Sequence, residues 1–375
     1  MRVWAAAVVT LVALALPPPS ARAAGAAGAA PARGAVTSTS APVVSGAAVV
    51  GEVLRAGRGR WTPSDVTVTY AWLRDGEPVR GARDRGYLLQ PGDVGRRMTV
   101  RVRATDADGH HGWATSAPTA PVAKAQLRNL AAPTVSGVAR YPRVLTAQTG
   151  RWSTRPARFT YQWLRDGRPV PGATLRYHEV LPRDVGSRVA VVVTAYSPGH
   201  EPATARSAPV TAKHRVDVRR TVTYSVTTRG KVTANLRAFR AQAQATYDDA
   251  RGWRGKGVRF RPVRRGGDFT LVLAEARTMT SFSSQCSVMW SCRVGRFVVI
   301  NQTRWRSASP AWNRARESRR DYRHMVVNHE TGHWLGYGHA SCPGRGDLAP
   351  VMMQQSKGTQ GCRLNPWPTT RELRR

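Results

Sequence analysis

Lysine is scarce in this sequence. It stands only at positions 124, 213, 231, 256 and 357, although Lys and Arg together number 58 among 375 residues. Acidic residues are also few, at 22, so the formal net charge is +36 and rests almost wholly on arginine. The arginines are spread along the chain rather than gathered in one stripe. That pattern reads as the arginine bias of a GC-rich genome on an exported protein and makes nucleic acid an unfavoured partner. The rival reading is attachment to an anionic cell-wall polymer, which such a field would attract. Cysteine is missing from the first 285 residues, so the N-terminal two thirds cannot be a disulfide scaffold. No apolar run after the first 16 residues is long enough to span a bilayer.

That first run reads as an export signal over residues 1–23. Met1-Arg2 gives a positive start, Val3 to Leu16 is apolar, and Ala21-Arg22-Ala23 has the small-x-small cleavage pattern. Pro17-Pro18-Pro19 ends the run too early for a membrane anchor. The mature chain is therefore expected to be secreted. Residues 24–41, made chiefly of Ala, Gly, Ser, Thr and Pro, are expected to form a flexible linker. The four cysteines are Cys286, Cys292, Cys342 and Cys362, an even number that suits disulfides in an exported protein. Three pairings are open. The local pairs Cys286–Cys292 and Cys342–Cys362 are preferred because short loops close at least entropic cost. Neither has the C-x-x-C spacing of a zinc knuckle.

A duplication follows the linker. Pro42 to Gly46 recurs at Pro133 to Gly137, Trp61 at Trp152, YAWLRDG at 70–76 as YQWLRDG at 161–167, and Asp93-Val94-Gly95 at Asp184 to Gly186. All are displaced by 91 positions, which marks two copies of one module, 42–123 and 131–212. Val68, Tyr70 and Trp72 alternate with polar or small residues, as do Met98, Val100, Val102 and Ala104, so each copy predicts strands with one buried face. Asp75-Gly76 and Asp166-Gly167 are hairpin signals. The modules resemble the Ig-like tandem repeats of exported bacterial proteins, all-β sandwiches in which Trp72 and Trp163 are core residues. His110, His111, His178, His200 and His214 read as surface residues.

Residues 214–375 mix strand patterns (221–227, 269–274, 297–301) with helical ones (234–250, 321–335), an α+β region. Chemistry concentrates in HETGHWLGYGH at 329–339. His329 and His333, four apart, lie on one helical face and can share one Zn2+ ion. Glu330 sits beside the first and can act as general base. Gly336 stops the helix, and the chain can turn back to bring His339 as a third ligand, leaving an open position for water. His324, on the same helix, is turned off this face.

The run matches H-E-x-x-H-x-x-G-x-x-H, and here the chain resembles the metzincin metallopeptidases, most closely a metzincin-like domain of unassigned function in exported proteins of high-GC Gram-positive bacteria. The resemblance implies a zincin fold, one catalytic zinc on His329, His333 and His339, Glu330 as catalytic base, and Gly336 at the turn. It also implies a methionine turn under the metal, supplied by Met352 or Met353 in APVMMQQ. Departures are Ala340, where many metzincins have Asp, and Gln354, where some have Tyr. Trp290 and Tyr337 are expected at the substrate cleft, Tyr337 as one possible support for the oxyanion. The function implied is a secreted zinc metalloendopeptidase acting on a protein or peptide. Its alternatives are a wall- or surface-binding protein with an inert zinc domain, and a hydrolase of peptidoglycan cross-links.

Overall fold

The computed structural model describes residues 34–374, so the expected signal peptide and residues 24–33 of the expected linker lie outside the described part. Strands dominate. The chain divides into two compact units, one ending at Lys124 and one beginning at Ala125. No described helix is long and apolar enough to cross a membrane.

The first unit contains the first repeat. Thr67–Arg74 and Met98–Thr105 pair antiparallel at the centre of a four-stranded sheet, and Val44–Ser45, Val53–Ala56 and Gly86–Leu88 form a three-stranded one. Met98, Val100, Val102 and Ala104 are fully buried while Arg101 faces out, as the alternation requires. Trp72 is fully buried, and its indole N–H donates to the Asp84 carbonyl at 3.0 Å. Asp75 and Gly76 have φ of 46° and 91°, the left-handed pair that a two-residue hairpin needs.

The linker was expected to run to residue 41. Instead Thr37–Ser40 is a strand paired with Arg60–Thr62, and Val36 is buried. Asn129–Ala131 pairs with Arg151–Trp152 in the second repeat, where Leu127 is buried at the position matching Val36. Both modules therefore begin several residues before the expected 42 and 131. The strand Thr37–Ser40 was illegible because all four of its side chains are exposed and polar, leaving no alternation to read.

Each repeat is pinned by one buried carboxylate. Asp93 accepts from Arg74 Nε at 2.7 Å, Tyr87 Oη at 3.0 Å and Gln90 N at 2.7 Å. Its counterpart Asp184 accepts from Arg165 Nε at 2.6 Å, His178 Nε2 at 2.9 Å and Leu181 N at 2.8 Å. His178 thus replaces a tyrosine. It is buried and stacked on Trp163 at 5.3 Å, not on the surface as expected, because the carboxylate satisfies its N–H inside the core.

The second repeat shares its unit with the C-terminal region. Arg140 forms a bidentate pair with Asp217 at 2.9 Å, and Tyr141 N donates to Lys213 O at 2.9 Å. Beyond these lie β1 (Arg220–Arg229), α1 (Leu236–Asp248), β2 (Val258–Pro262), β3 (Phe269–Ala274), β4 (Cys292–Val294), β5 (Phe297–Asn301), α2 (Arg319–Trp334) and α3 (Thr370–Arg374), with short helical segments such as Gln302–Ser307 and Pro310–Arg314 between. The sheet order is β2-β1-β3-β5-β4, parallel except for β4, which runs antiparallel along β5 at the edge. Asn235 caps α1 by accepting from Ala238 N at 2.9 Å. Phe239 and Tyr247 point from α1 into the core, where Phe239 meets Trp305 and Tyr247 meets Phe260. Thr246 and Tyr247 tie α1 to α2 through His324 Nδ1 at 2.8 Å and Thr331 Oγ1 at 2.9 Å.

Asp184 carries a pH dependence. Desolvation raises its pKa, but the bonds from His178, Leu181 N–H and Arg165 outweigh that and bring it down to about 2. A depressed carboxylate stabilises the fold above its unfolded pKa and loses that contribution as pH falls through the folded one. The shift corresponds to about 2 kcal/mol. Asp184→Asn should therefore melt well below wild type at neutral pH, with the gap closing between about pH 4 and about pH 2. A gap that persists at the lowest pH would contradict this role.

Candidate metal centre

Helix α2 is built to end at a fixed place. Ser318 caps it, accepting from Asp321 N at 2.9 Å while its hydroxyl donates to Asp321 Oδ2 at 2.6 Å. Gly336 ends it with φ of 96°, and Tyr337 N closes back on Gly332 O at 3.0 Å. The chain then reverses, and Ala340 N donates to Met352 O at 3.1 Å, which holds His339 over the helix.

Three imidazoles meet there. His333 Nε2 lies 3.2 Å from His329 Nε2 and 3.2 Å from His339 Nε2. Their ligand atoms all fall within 4.8 Å of one another. Imidazole nitrogens bound to a tetrahedral zinc at about 2.0–2.1 Å sit about 3.3 Å apart, so the donor set fits that ion. His329 Nδ1 faces Val351 O at 2.8 Å and His333 Nδ1 faces Tyr337 O at 2.8 Å. A carbonyl can only accept, so each Nδ1 carries the proton and each Nε2 offers a lone pair. Desolvation keeps all three neutral, holding His333 and His339 below the ordinary value and His329 down at about 3. Glu330 is buried beside them, and burial alone pushes its carboxyl up to about 8.

The group opens on a cavity of about 610 Å3. Its walls include the loop closed by the Cys286–Cys292 disulfide, strand β4, and residues 353–357. The second disulfide, Cys342–Cys362, encloses the methionine turn, so both bonds are local. Trp290 lines the cavity with the Arg304 guanidinium 4.9 Å above its ring. Met352 is buried under α2, while Met353 lines the cavity. Tyr337 also lines it, but its ring stacks on Trp253 at 4.7 Å and its hydroxyl is engaged with Lys256 Nζ and the Glu372 carbonyl. That corrects the expectation of Tyr337 as an oxyanion support. Ala340 is small and half-buried, and Gln354 is exposed on the wall. His324 is buried against Trp367 at 4.7 Å, away from the triad.

Two positions escaped the sequence reading. Gly332 stands inside the helix because a Cβ there would collide with Met352 Sδ and Trp253. Glu372 is buried near the end of the chain and accepts from Val351 N at 3.1 Å, Met352 N at 2.9 Å and Thr369 N at 2.7 Å. The pattern Thr369-x-x-Glu372 is a capping box and was its available signal. Gly332→Ala should test the close approach. Helix propensity alone would favour alanine by about 1 kcal/mol. The collision should reverse the sign and destabilise by about 1–3 kcal/mol, read as a lower melting temperature. A more stable Gly332→Ala protein would show that helix and turn are not in enforced contact.

A search of curated proteins found no match. Among solved structures, the chain is similar to three N-terminal domains of the bacteriophage RB49 highly immunogenic outer capsid protein, at 15% identity over 52% of this chain and 66% of that one, with a TM-score of 0.22. It thus covers just under two thirds of that structure. It is also similar to the tandem Ig repeats of Dlar, at 14% identity over 46% and 94% with a TM-score of 0.15. A third is the chicken CNTN1 FN1–FN3 domains, at 15% identity over 49% and 70% with a TM-score of 0.19. Residues 196–367, which carry His329, Glu330, His333 and His339, match the family described as "Protein of unknown function (DUF3152)".

Proposed function

We propose that the C-terminal region is a metzincin-like zincin domain, a zinc metalloendopeptidase with Glu330 as general base. One observation carries this reading: three neutral histidine Nε2 atoms converge on a cavity beside a buried carboxylate, Glu330, that has no hydrogen-bonding partner among the described residues. His329, His333 and His339 would hold the ion. Bound there, zinc would polarise the scissile carbonyl and supply a water nucleophile at neutral pH. Glu330 would take the proton on a carboxylate oxygen and return it to the leaving amine. Ala340 and Gln354 give no carboxylate or phenol at the positions where many metzincins have Asp and some have Tyr, and the Tyr337 hydroxyl is engaged elsewhere.

An extended peptide would lie along the outer edge of β4, which among the described residues pairs only with β5, using backbone hydrogen bonds with side-chain pockets for selectivity. Only Cys292–Val294 is strand, and residues 287–291 before it belong to the disulfide loop that carries Trp290. Two local disulfides support secretion into an oxidising compartment. The charge of +36 fits attachment to anionic wall polymers.

Glu330→Gln should retain one zinc per chain and lose about 10²–10⁴-fold or more in peptide hydrolysis. Full activity in the zinc-loaded variant would sink the mechanism. Chelation should abolish activity and lower the melting temperature, since the ion binds only the folded triad. Trp290→Ala should change cleavage-site preference more than melting temperature. The opposite pattern would make Trp290 a cover for the Cys286–Cys292 loop.

A further inference from the structure

Both helix histidines lead to one residue. His329 Nδ1–H donates to the carbonyl of Val351, and the N–H of that same residue donates to the Glu372 carboxylate at 3.1 Å. His333 Nδ1–H donates to the carbonyl of Tyr337, and the hydroxyl of that same residue donates to the Glu372 backbone carbonyl at 3.3 Å. Each imidazole is therefore one residue removed from Glu372, by two separate routes. Glu372 as a residue is 5% exposed, and its carboxylate has further donors in Met352 N, Thr369 N and Thr369 Oγ1, the last at 2.8 Å. A buried carboxylate with this many donors is a fixed point, because moving it leaves several N–H groups unpaired in the interior.

We propose that Glu372 is a positioning residue of the metal centre: its carboxylate fixes Val351 and, through the Val351 carbonyl, sets the tautomer and ring orientation of His329, while its backbone carbonyl anchors the hydroxyl of Tyr337, whose own carbonyl receives His333. The proposal rests on the zinc reading above and extends it to α3, which lies beyond the residues that match the family. The carbonyls that orient metal-ligating histidines are commonly held in place in this way, and disturbing such outer partners costs about 10–100-fold in metal affinity. Glu372→Gln is nearly isosteric. It replaces one acceptor oxygen with an NH2 group that must face an N–H donor, so either the Met352 N bond or the Val351 and Thr369 bonds are lost while the helix remains. Leu373 provides the control. It packs from the same helix against the core near Gly255, and its truncation loosens α3 without touching the carboxylate.

Full-length wild type, Glu372→Gln and Leu373→Ala should be compared for Zn2+ affinity by competition with a chelating dye, for the visible spectrum of the Co2+-substituted proteins, and for melting temperature without metal. The expected result is a Zn2+ dissociation constant raised about 10–100-fold in Glu372→Gln, with altered Co2+ bands. Leu373→Ala should bind metal like wild type even where its melting temperature falls as far. Wild-type affinity in Glu372→Gln, or an equal loss in both variants at equal loss of stability, would overturn the proposal. Wild type that takes up no zinc would overturn the zinc reading and the proposal together. Wild type that binds zinc without cleaving peptides, while Glu372→Gln binds it weakly, would remove the peptidase reading alone and leave this one supported.

Discussion

Two backbone carbonyls, those of Val351 and Tyr337, govern the C-terminal unit. A histidine can present its Nε2 lone pair only if its proton rests on Nδ1, and a carbonyl acceptor enforces that choice. Both carbonyls belong to loops, so the loops must be as rigid as the helix they serve. The structure answers this need in several ways. The Cys342–Cys362 bond encloses the methionine turn, Ala340 hangs from the Met352 carbonyl, and the Gln355 side-chain amide bonds both the carbonyl and the N–H of Asn365 inside the fold. Gly332 lets α2 settle directly on Met352. Each of these reduces the distance over which the two carbonyls could wander.

The repeats reach rigidity by different means. They have no cysteine, and each instead buries an aspartate held by an arginine, a backbone N–H and a ring donor. Removing one partner of such a group is expensive because the charge remains in the interior. The exchange of Tyr87 for His178 keeps the donor, its place against the core tryptophan and its distance to the carboxylate, which shows what the position requires. The chemistry conserved between copies is a donor on a flat ring.

Much of this was legible in the residues. The 91-residue displacement located the modules, alternation at 98–104 located a central strand, and Asp-Gly pairs located two hairpins. The helix carrying 329 and 333 was legible from spacing, and short loops gave the disulfide pairs. What escaped shares a cause. Thr37–Ser40 is held by backbone pairing, so its side chains bear no pattern. His178 reads as a surface residue because polarity alone does not reveal the buried Asp184 that accepts from it, and the bonds of Glu372 to Val351 and Met352 leave no local pattern. Gly332 bears no periodic signal, since its place is set by the methionine packed beneath it. In each case the deciding contact lies across the fold, where local periodicity carries no information.

The order of these residues along the chain has a consequence for biosynthesis. A polypeptide that emerges N-terminus first exposes His329, His333 and His339 well before Val351, Cys362 and Glu372. At that stage all three imidazoles are present and His333 already has its Tyr337 acceptor, but the Val351 carbonyl that receives the His329 proton is still to come. The bonds that hold Val351 and the Tyr337 hydroxyl form only once the last helical turn docks. The order of synthesis thus sets the three imidazoles in the chain before the groups that fix their surroundings.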